Sequence, residues 1–80
     1  MRIDKYLKVS RLIKRRTVAN QACEGERISV NGRQVKPSYQ VKLGDVIEIA
    51  YGQRTVKVEV TAITETAGKD SAAAMYRELA

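Results

Sequence analysis

The sequence predicts an α+β domain in which two short N-terminal helices pack on a small antiparallel sheet of about four strands, followed by a short C-terminal helix. Three observations predict it: helical spacing of apolar residues before residue 25, alternation between turns over residues 28–60, and an alanine-rich end. Eighty residues, 44% of them hydrophobic and 30% charged, suit one globular domain. A chain of this length has a modest core.

The first helix is predicted over residues 3–9, "IDKYLKV". The separation between Ile3 and Leu7 places both side chains on one face, which is expected to be buried. The remaining polar positions are expected to face water or a ligand: Arg2, Asp4, Lys5 and Lys8.

A second helix is predicted to begin near Thr17, whose hydroxyl can cap a helix N-terminus. Its apolar stripe consists of small residues, namely Val18, Ala19, Ala22 and Cys23. Gly25 suits the left-handed conformation that often ends a helix. The two helices are therefore joined by a turn over residues 10–16.

Alternation predicts the strands. Ile28 and Val30 precede Asn31-Gly32, which is the sequence of a two-residue type I′ hairpin turn. Gly44-Asp45 predicts a second turn and leads into a strand through Ile47 and Ile49. Gly52-Gln53 predicts a third turn, followed by the clearest strand, "RTVKVEV", with Val56, Val58 and Val60 on one face. These elements define a predicted domain over residues 1–64, and residues 65–80 form a C-terminal tail, helical from about residue 70.

Positive charge is concentrated in the first half of the chain. Residues 1–36 contain ten Lys or Arg and three Asp or Glu, whereas residues 37–80 contain five and six. No acid lies between Asp4 and Glu24, a stretch with six basic residues. Two unit charges ~6 Å apart in water repel by about 0.7 kcal/mol, so a cluster of them disfavours folding unless an anionic partner compensates. The sequence therefore predicts a negatively charged partner, with nucleic acid favoured.

Other classes of function fit less well. The chain has no histidine, its single Cys23 lies on an apolar stripe, and Gly25, Gly32, Gly44 and Gly52 each have a local turn explanation, which argues against an enzyme, a metal site or a cofactor. No run approaches the ~20 apolar residues of a membrane span. Trp and Phe are absent and the four tyrosines are dispersed in the sequence, so no stacking platform for single strands is predicted. A cytoplasmic protein is expected.

Several separated motifs resemble the S4 RNA-binding domain. They are "RIDKYL", "SRLIKRRTVANQACEGERISVNG" and "VKLGDVIEI", in the order typical of that family and over about residues 1–51. The resemblance implies an S4-type RNA-binding fold, in which two helices and the following hairpin bind structured RNA.

Two stretches, "RIDKYLKVSRLIKRRTVAN" and "AAAMYRELA", make the chain similar to the RqcP family of bacterial ribosome-associated quality control. That resemblance implies binding to rRNA and tRNA on large ribosomal subunits obstructed by peptidyl-tRNA. It also implies assistance to an RqcH-type factor that adds alanine tails to the stalled chain. The heat-shock S4 protein, which binds obstructed large subunits and usually carries a longer basic C-terminal extension, is the nearest alternative. A helix-turn-helix DNA-binding regulator is the alternative from a different class.

The resemblance implies a set of RNA-facing residues by position: Arg2, Asp4, Lys5, Lys8, Arg11, Lys14, Arg15, Arg16 and Thr17. Asp4 is unusual on a phosphate-binding surface, and either orients a neighbouring arginine or accepts hydrogen bonds from RNA. Asn31 and Arg33 are weaker candidates, since the hairpin turn alone accounts for Asn31-Gly32. The protein is expected to be a monomer.

Overall fold

A computed structural model describes residues 1–79 of the chain. The elements in chain order are α1 (Ile3–Val9), α2 (Arg16–Glu24), β1 (Ile28–Val30), β2 (Arg33–Gln34), β3 (Val46–Tyr51), β4 (Arg54–Val60), α3 (Lys69–Ala73) and β5 (Tyr76–Leu79). The strands form one antiparallel sheet in the order β2-β1-β3-β4-β5. The predicted α+β class and the predicted bounds of α1 are confirmed.

The core lies between the two N-terminal helices and one face of the sheet. Alternation along β3 and β4 directs Ile47, Ile49, Val58 and Val60 toward the helices, and each is at most 1% exposed. The helices and β1 contribute the other main members of this cluster, which are Ile3, Tyr6, Leu7, Ala19, Cys23, Ile28 and Val30. Burial of this apolar surface is the main stabilising contribution in a domain of this size.

The hairpin turns follow their predicted chemistry. Asn31 and Gly32 both have positive φ, 53° and 85°, as a type I′ turn requires. Tyr51 pairs with Arg54, so Gly52-Gln53 forms the two-residue connection between β3 and β4. These turns fix the register, which in turn decides which side chains face the helices.

The predicted N-cap of α2 and the predicted left-handed conformation of Gly25 are wrong, whereas Gly25 does follow the last helical residue, as expected. The helix begins at Arg16, with Arg15 as the N-cap residue and no side-chain cap, so Thr17 lies inside the first turn. The earlier start leaves Val18 47% exposed, and Ala19 and Cys23 form the buried face. At the other end Gly25 has φ −83°, and the left-handed residue is Glu26, with φ 62°.

The C-terminal segment also differs from the prediction. Helix α3 is only five residues long, and the chain then pairs with β4 as β5, which gives the sheet a fifth strand. Met75, between the two elements, is fully buried, and its carbonyl accepts hydrogen bonds from the Tyr6 hydroxyl and the Thr61 backbone. Strand pairing and the burial of Met75 override the helical propensity of "AAAMYREL". The boundary placed at residue 64 stays a prediction.

No helix within residues 1–79 combines the length and the apolar character needed to cross a membrane.

Candidate nucleic-acid interface

Asp4 joins the two N-terminal helices through its carboxylate, which is 3% exposed. Oδ2 accepts hydrogen bonds from Arg2 Nη2 at 3.1 Å and from Asn20 Nδ2 at 3.3 Å. Oδ1 accepts from the Lys5 backbone N–H at 2.8 Å and from Arg16 Nη2 at 3.4 Å. The prediction that Asp4 faces water or a ligand is therefore wrong, because the fold gives the carboxylate four donors and places it between two arginines.

The surroundings of Asp4 keep its carboxylate ionised. Burial opposes the charged form, but the hydrogen bonds from Asn20 and the Lys5 backbone and the charges of Arg16 and Arg2 outweigh it. Together they lower the pKa of Asp4 below its ordinary value of 3.8. Asp4 is therefore a fixed anion that holds the guanidinium groups of Arg2 and Arg16, whose side chains are 46% and 47% exposed.

The chain that precedes α1 is held by the loop over residues 37–45. The Ile3 backbone N–H donates to the Tyr39 carbonyl at 2.7 Å, and Arg2 forms a β-bridge with Gln40. The loop is itself closed by the buried carboxylate of Asp45, which accepts from the Tyr39 hydroxyl at 2.8 Å. This anchoring fixes the backbone position from which the Arg2 side chain extends, and no short sequence motif indicates it.

Asn31 belongs to the same structural network. Its Nδ2 donates to Asp45 Oδ1 at 3.2 Å, and its Oδ1 accepts from the Val46 backbone N–H at 3.0 Å. Both ends of the amide are therefore used inside the protein, which accounts for Asn31 structurally. Arg33, the other weaker candidate, is exposed on β2.

Five of the predicted basic residues come together around one open groove of about 730 Å³, called here the basic groove. Its cationic lining consists of Lys5, Lys8, Arg11, Lys14 and Arg16. The opposite wall is formed by residues 65–67, where the Glu65 carboxylate forms an ion pair with Lys5 Nζ. That hydrogen bond and the Lys5 charge lower the pKa of Glu65. Arg15 and Thr17 are exposed but are outside this lining.

The loop that joins α1 to α2 has a defined conformation. Arg11 has positive φ, 65°, which is uncommon for a residue with a side chain. The Ile13 backbone N–H donates to the Leu7 carbonyl at 3.0 Å, and the Ile13 side chain is buried in the core. From the sheet, the Tyr51 hydroxyl donates to the Leu12 carbonyl at 2.7 Å. The loop therefore presents its basic side chains from an anchored backbone, and sequence reasoning missed Tyr51 in this role.

The outer face of the sheet has a different charge distribution. Lys57 lies opposite Glu48 across β3 and β4, with a distance of 3.4 Å between Nζ and Oε1. Arg77 forms an ion pair with Glu59 across β4 and β5. Acids there compensate Lys57 and Arg77 locally, whereas the lining of the basic groove has five cations and one acid, Glu65.

The side chains of residues 1–79 present neither an ionised cysteine at neutral pH nor a cluster suited to a metal ion. Cys23 is 4% exposed, and burial raises the pKa of its thiol to about 11, so the thiol stays protonated at neutral pH. Within the described residues 1–79, no group of three or more His, Cys, Asp and Glu side chains is placed to hold a metal ion.

The α+β fold, together with a basic groove at the junction of two anchored helices, defines a small domain of the nucleic-acid-binding class. A sequence model of the S4 domain matches residues 1–47. The chain belongs to the S4 domain family, and the S4-type fold expected from the sequence is confirmed.

Relatives extend this similarity over most of the chain. An "RQC P-site tRNA stabilizing factor" of Halalkalibacterium halodurans is 53% identical over 95% of this chain and 86% of its own length. The protein of the same name from Bacillus subtilis is 51% identical over 95% of this chain and 88% of its own length. A solved structure described as trimeric, of Vibrio cholerae Heat Shock Protein 15, superposes with a TM-score of 0.92 at 32% identity, covering 100% of this chain and 82% of that one.

Proposed function

We propose that this protein is an RNA-binding factor of bacterial ribosome-associated quality control. It binds rRNA and tRNA on large ribosomal subunits obstructed by peptidyl-tRNA, and so assists the alanine tailing of the stalled chain. The observation that supports this most strongly is the identity of about half of the residues, over nearly the whole chain, to factors named for stabilising P-site tRNA. The basic groove supplies the physical means of binding.

The residues proposed to contact RNA follow from the geometry. Arg2 and Arg16, both held by Asp4, present planar guanidinium groups that can bind phosphate in two-point contacts. Lys5, Lys8 and Lys14 add charge along the groove. Arg15 and Thr17 extend the surface at the start of α2. Asp4 acts through the arginines, since its carboxylate is buried.

The cellular setting is proposed on the same basis. The partners are large-subunit rRNA, tRNA and an RqcH-type tailing factor, and the protein acts as a monomer in the cytoplasm on the ribosome, without catalysing a reaction. A second candidate function is that of a heat-shock-type S4 protein acting on obstructed large subunits, favoured by the structural likeness to Heat Shock Protein 15. Co-sedimentation with obstructed subunits, compared with binding to duplex DNA, separates both from a helix-turn-helix regulator.

Salt dependence tests whether phosphate contacts dominate binding. If the groove and its flanking arginines neutralise about five phosphates, the logarithm of the association constant falls with the logarithm of salt concentration, with a slope of roughly −3.5 to −4.5. The measurement is the affinity for purified large subunits carrying peptidyl-tRNA, over a series of salt concentrations. An affinity that stays constant from low to physiological salt would contradict this proposal.

Glu65 provides a test of the groove itself. Its carboxylate forms an ion pair with Lys5 Nζ, so it competes with a phosphate for that ammonium group. We expect Glu65→Gln to increase the affinity for obstructed subunits severalfold at low salt, because the substitution removes a negative charge next to the phosphates. The matched control is Glu59→Gln, which removes an ion-paired glutamate from the outer face of the sheet and should leave the affinity unchanged. Equal affinities of both variants and the wild type would place the RNA away from the 65–67 wall.

A further inference from the structure

A second groove lies beyond the loop that joins α1 and α2, on the side of the sheet that faces the helices. It has a volume of about 370 Å³, and its principal lining residues are Arg11, Tyr51, Arg54, Tyr76 and Glu78. Strand register explains the grouping, because Tyr51 pairs with Arg54 on the face that carries the core residues of β3 and β4. Tyr76 and Glu78 pair with Val60 and Val58, so they lie on this same face.

Folding brings two tyrosines together in this groove. Tyr51 ends β3 and Tyr76 begins β5, 25 positions apart, so the sequence alone shows them as dispersed. Tyr51 is 37% exposed, although its hydroxyl donates a hydrogen bond to the Leu12 carbonyl. An anchored aromatic ring with an accessible surface is the feature on which a nucleobase stacks.

The groove also carries cations that lack acidic partners. No acidic side chain of residues 1–79 forms an ion pair with Arg11 or Arg54, whereas Lys57 and Arg77 on the opposite face of the sheet are both paired. Arg11 lines both grooves, so the second groove adjoins the basic groove at this residue. Glu78 disfavours phosphate at its end of the second groove and leaves that end to a base edge.

We propose that the second groove binds an unpaired nucleotide of the same RNA that occupies the basic groove. The RNA strand passes over Arg11, and one of its bases packs against the Tyr51 ring. Arg11 and Arg54 contact the flanking phosphates. This inference rests on the proposed function, and it adds a single-stranded contact that the composition of the chain does not predict.

The phosphate part is tested with Arg54→Gln, and Lys57→Gln is the matched control. Both substitutions remove one positive charge from β4, but on opposite faces of the sheet. We expect Arg54→Gln to make the slope of log affinity against log salt shallower by about 0.7–0.9, for large subunits carrying peptidyl-tRNA. Lys57→Gln should retain the wild-type slope. A wild-type slope in Arg54→Gln would overturn the phosphate contact.

The stacking part is tested with two substitutions of Tyr51. Tyr51→Leu should weaken binding about tenfold, whereas Tyr51→Phe, which keeps the ring and loses the hydroxyl, should stay within about twofold of the wild type. If Phe weakens binding as much as Leu, the contact to the Leu12 carbonyl is what matters, and stacking is overturned. Thermal unfolding of each variant shows that the fold is retained.

The two proposals fail in distinguishable ways. If Arg16→Ala weakens binding while Arg54→Gln and Tyr51→Leu do not, the second groove is empty in the complex and the proposed function stands. If the wild-type protein does not bind the obstructed subunits, both proposals are overturned.

Discussion

Asp4→Asn is expected to weaken binding to obstructed large subunits by roughly tenfold or more, and to destabilise the fold as well. The carboxylate receives four hydrogen bonds, two of them from arginines that are proposed to contact RNA. An asparagine keeps one acceptor oxygen, but it presents an N–H₂ group to donors and loses the charge. Hydrogen bonds to charged groups contribute about 1.5–3 kcal/mol each. When the charge of Asp4 is removed, these bonds weaken and no longer hold the guanidinium groups of Arg2 and Arg16 in a fixed orientation.

The effect on stability follows from the same contacts. Because both arginines are about half exposed, each ion pair contributes at most about 1 kcal/mol, and the loss of both together costs about 1.5 kcal/mol. For a domain of this size such a loss lowers the thermal midpoint by roughly 6–12 °C. Asp70→Asn, an exposed acid in the first turn of α3, is the control and should change neither affinity nor midpoint. Tighter binding by Asp4→Asn would show that Asp4 acts on RNA only as a repelling charge.

The dependence of the free energy of unfolding on pH in the acidic range independently tests the stabilising role of Asp4. Its pKa in the folded state is lowered from 3.8, so the unfolded chain takes up this proton at higher pH than the folded protein does. The stabilisation that Asp4 contributes is therefore fully present above pH 3.8 and is lost as the pH falls through its pKa in the folded state. The wild type should lose stability over this range. In Asp4→Asn this component should be absent, which denaturant unfolding at several pH values measures.

The sequence predicts those parts of the fold that depend on neighbouring residues. Helix α1 follows from the spacing of Ile3 and Leu7, and the hairpin from Asn31-Gly32, because only local backbone geometry and one buried face are involved. Strand β5 does not follow in this way. Its residues favour a helix, and pairing with the edge of β4 together with the burial of Met75 decides the outcome.

The candidate site was likewise only partly predictable from the sequence. Charge density in the chain indicates a basic surface, and five of its members do line one groove. The burial of Asp4 could not be predicted, because its partners Arg16 and Asn20 lie on the next helix. The grouping of Tyr51 with Tyr76 likewise depends on the register of β5, an element that the sequence does not indicate. Contacts between elements therefore account for what sequence reasoning missed.

Arg16→Ala should separate binding from folding. Arg16 lines the basic groove, and its Nη2 lies 3.4 Å from Asp4 Oδ1. This distance is longer than the 3.1 Å between Arg2 Nη2 and Asp4 Oδ2. We expect this variant to lose roughly tenfold or more in affinity for obstructed subunits. Its thermal midpoint should fall by only a few degrees, because a half-exposed ion pair contributes at most about 1 kcal/mol and its removal also relieves repulsion within the basic groove.

Two comparisons make this result specific to the position and shape of the guanidinium group. Arg77→Ala removes an exposed, ion-paired arginine from the outer face of the sheet and should bind like the wild type. Arg16→Lys keeps the charge but loses the planar fork, and should bind with intermediate affinity. If Asp4 acts by holding Arg16, Asp4→Asn and Arg16→Ala together should weaken binding by less than the product of the two separate effects. Fully multiplicative effects would mean that Asp4 and Arg16 contribute independently, which would contradict the positioning role derived from their contact.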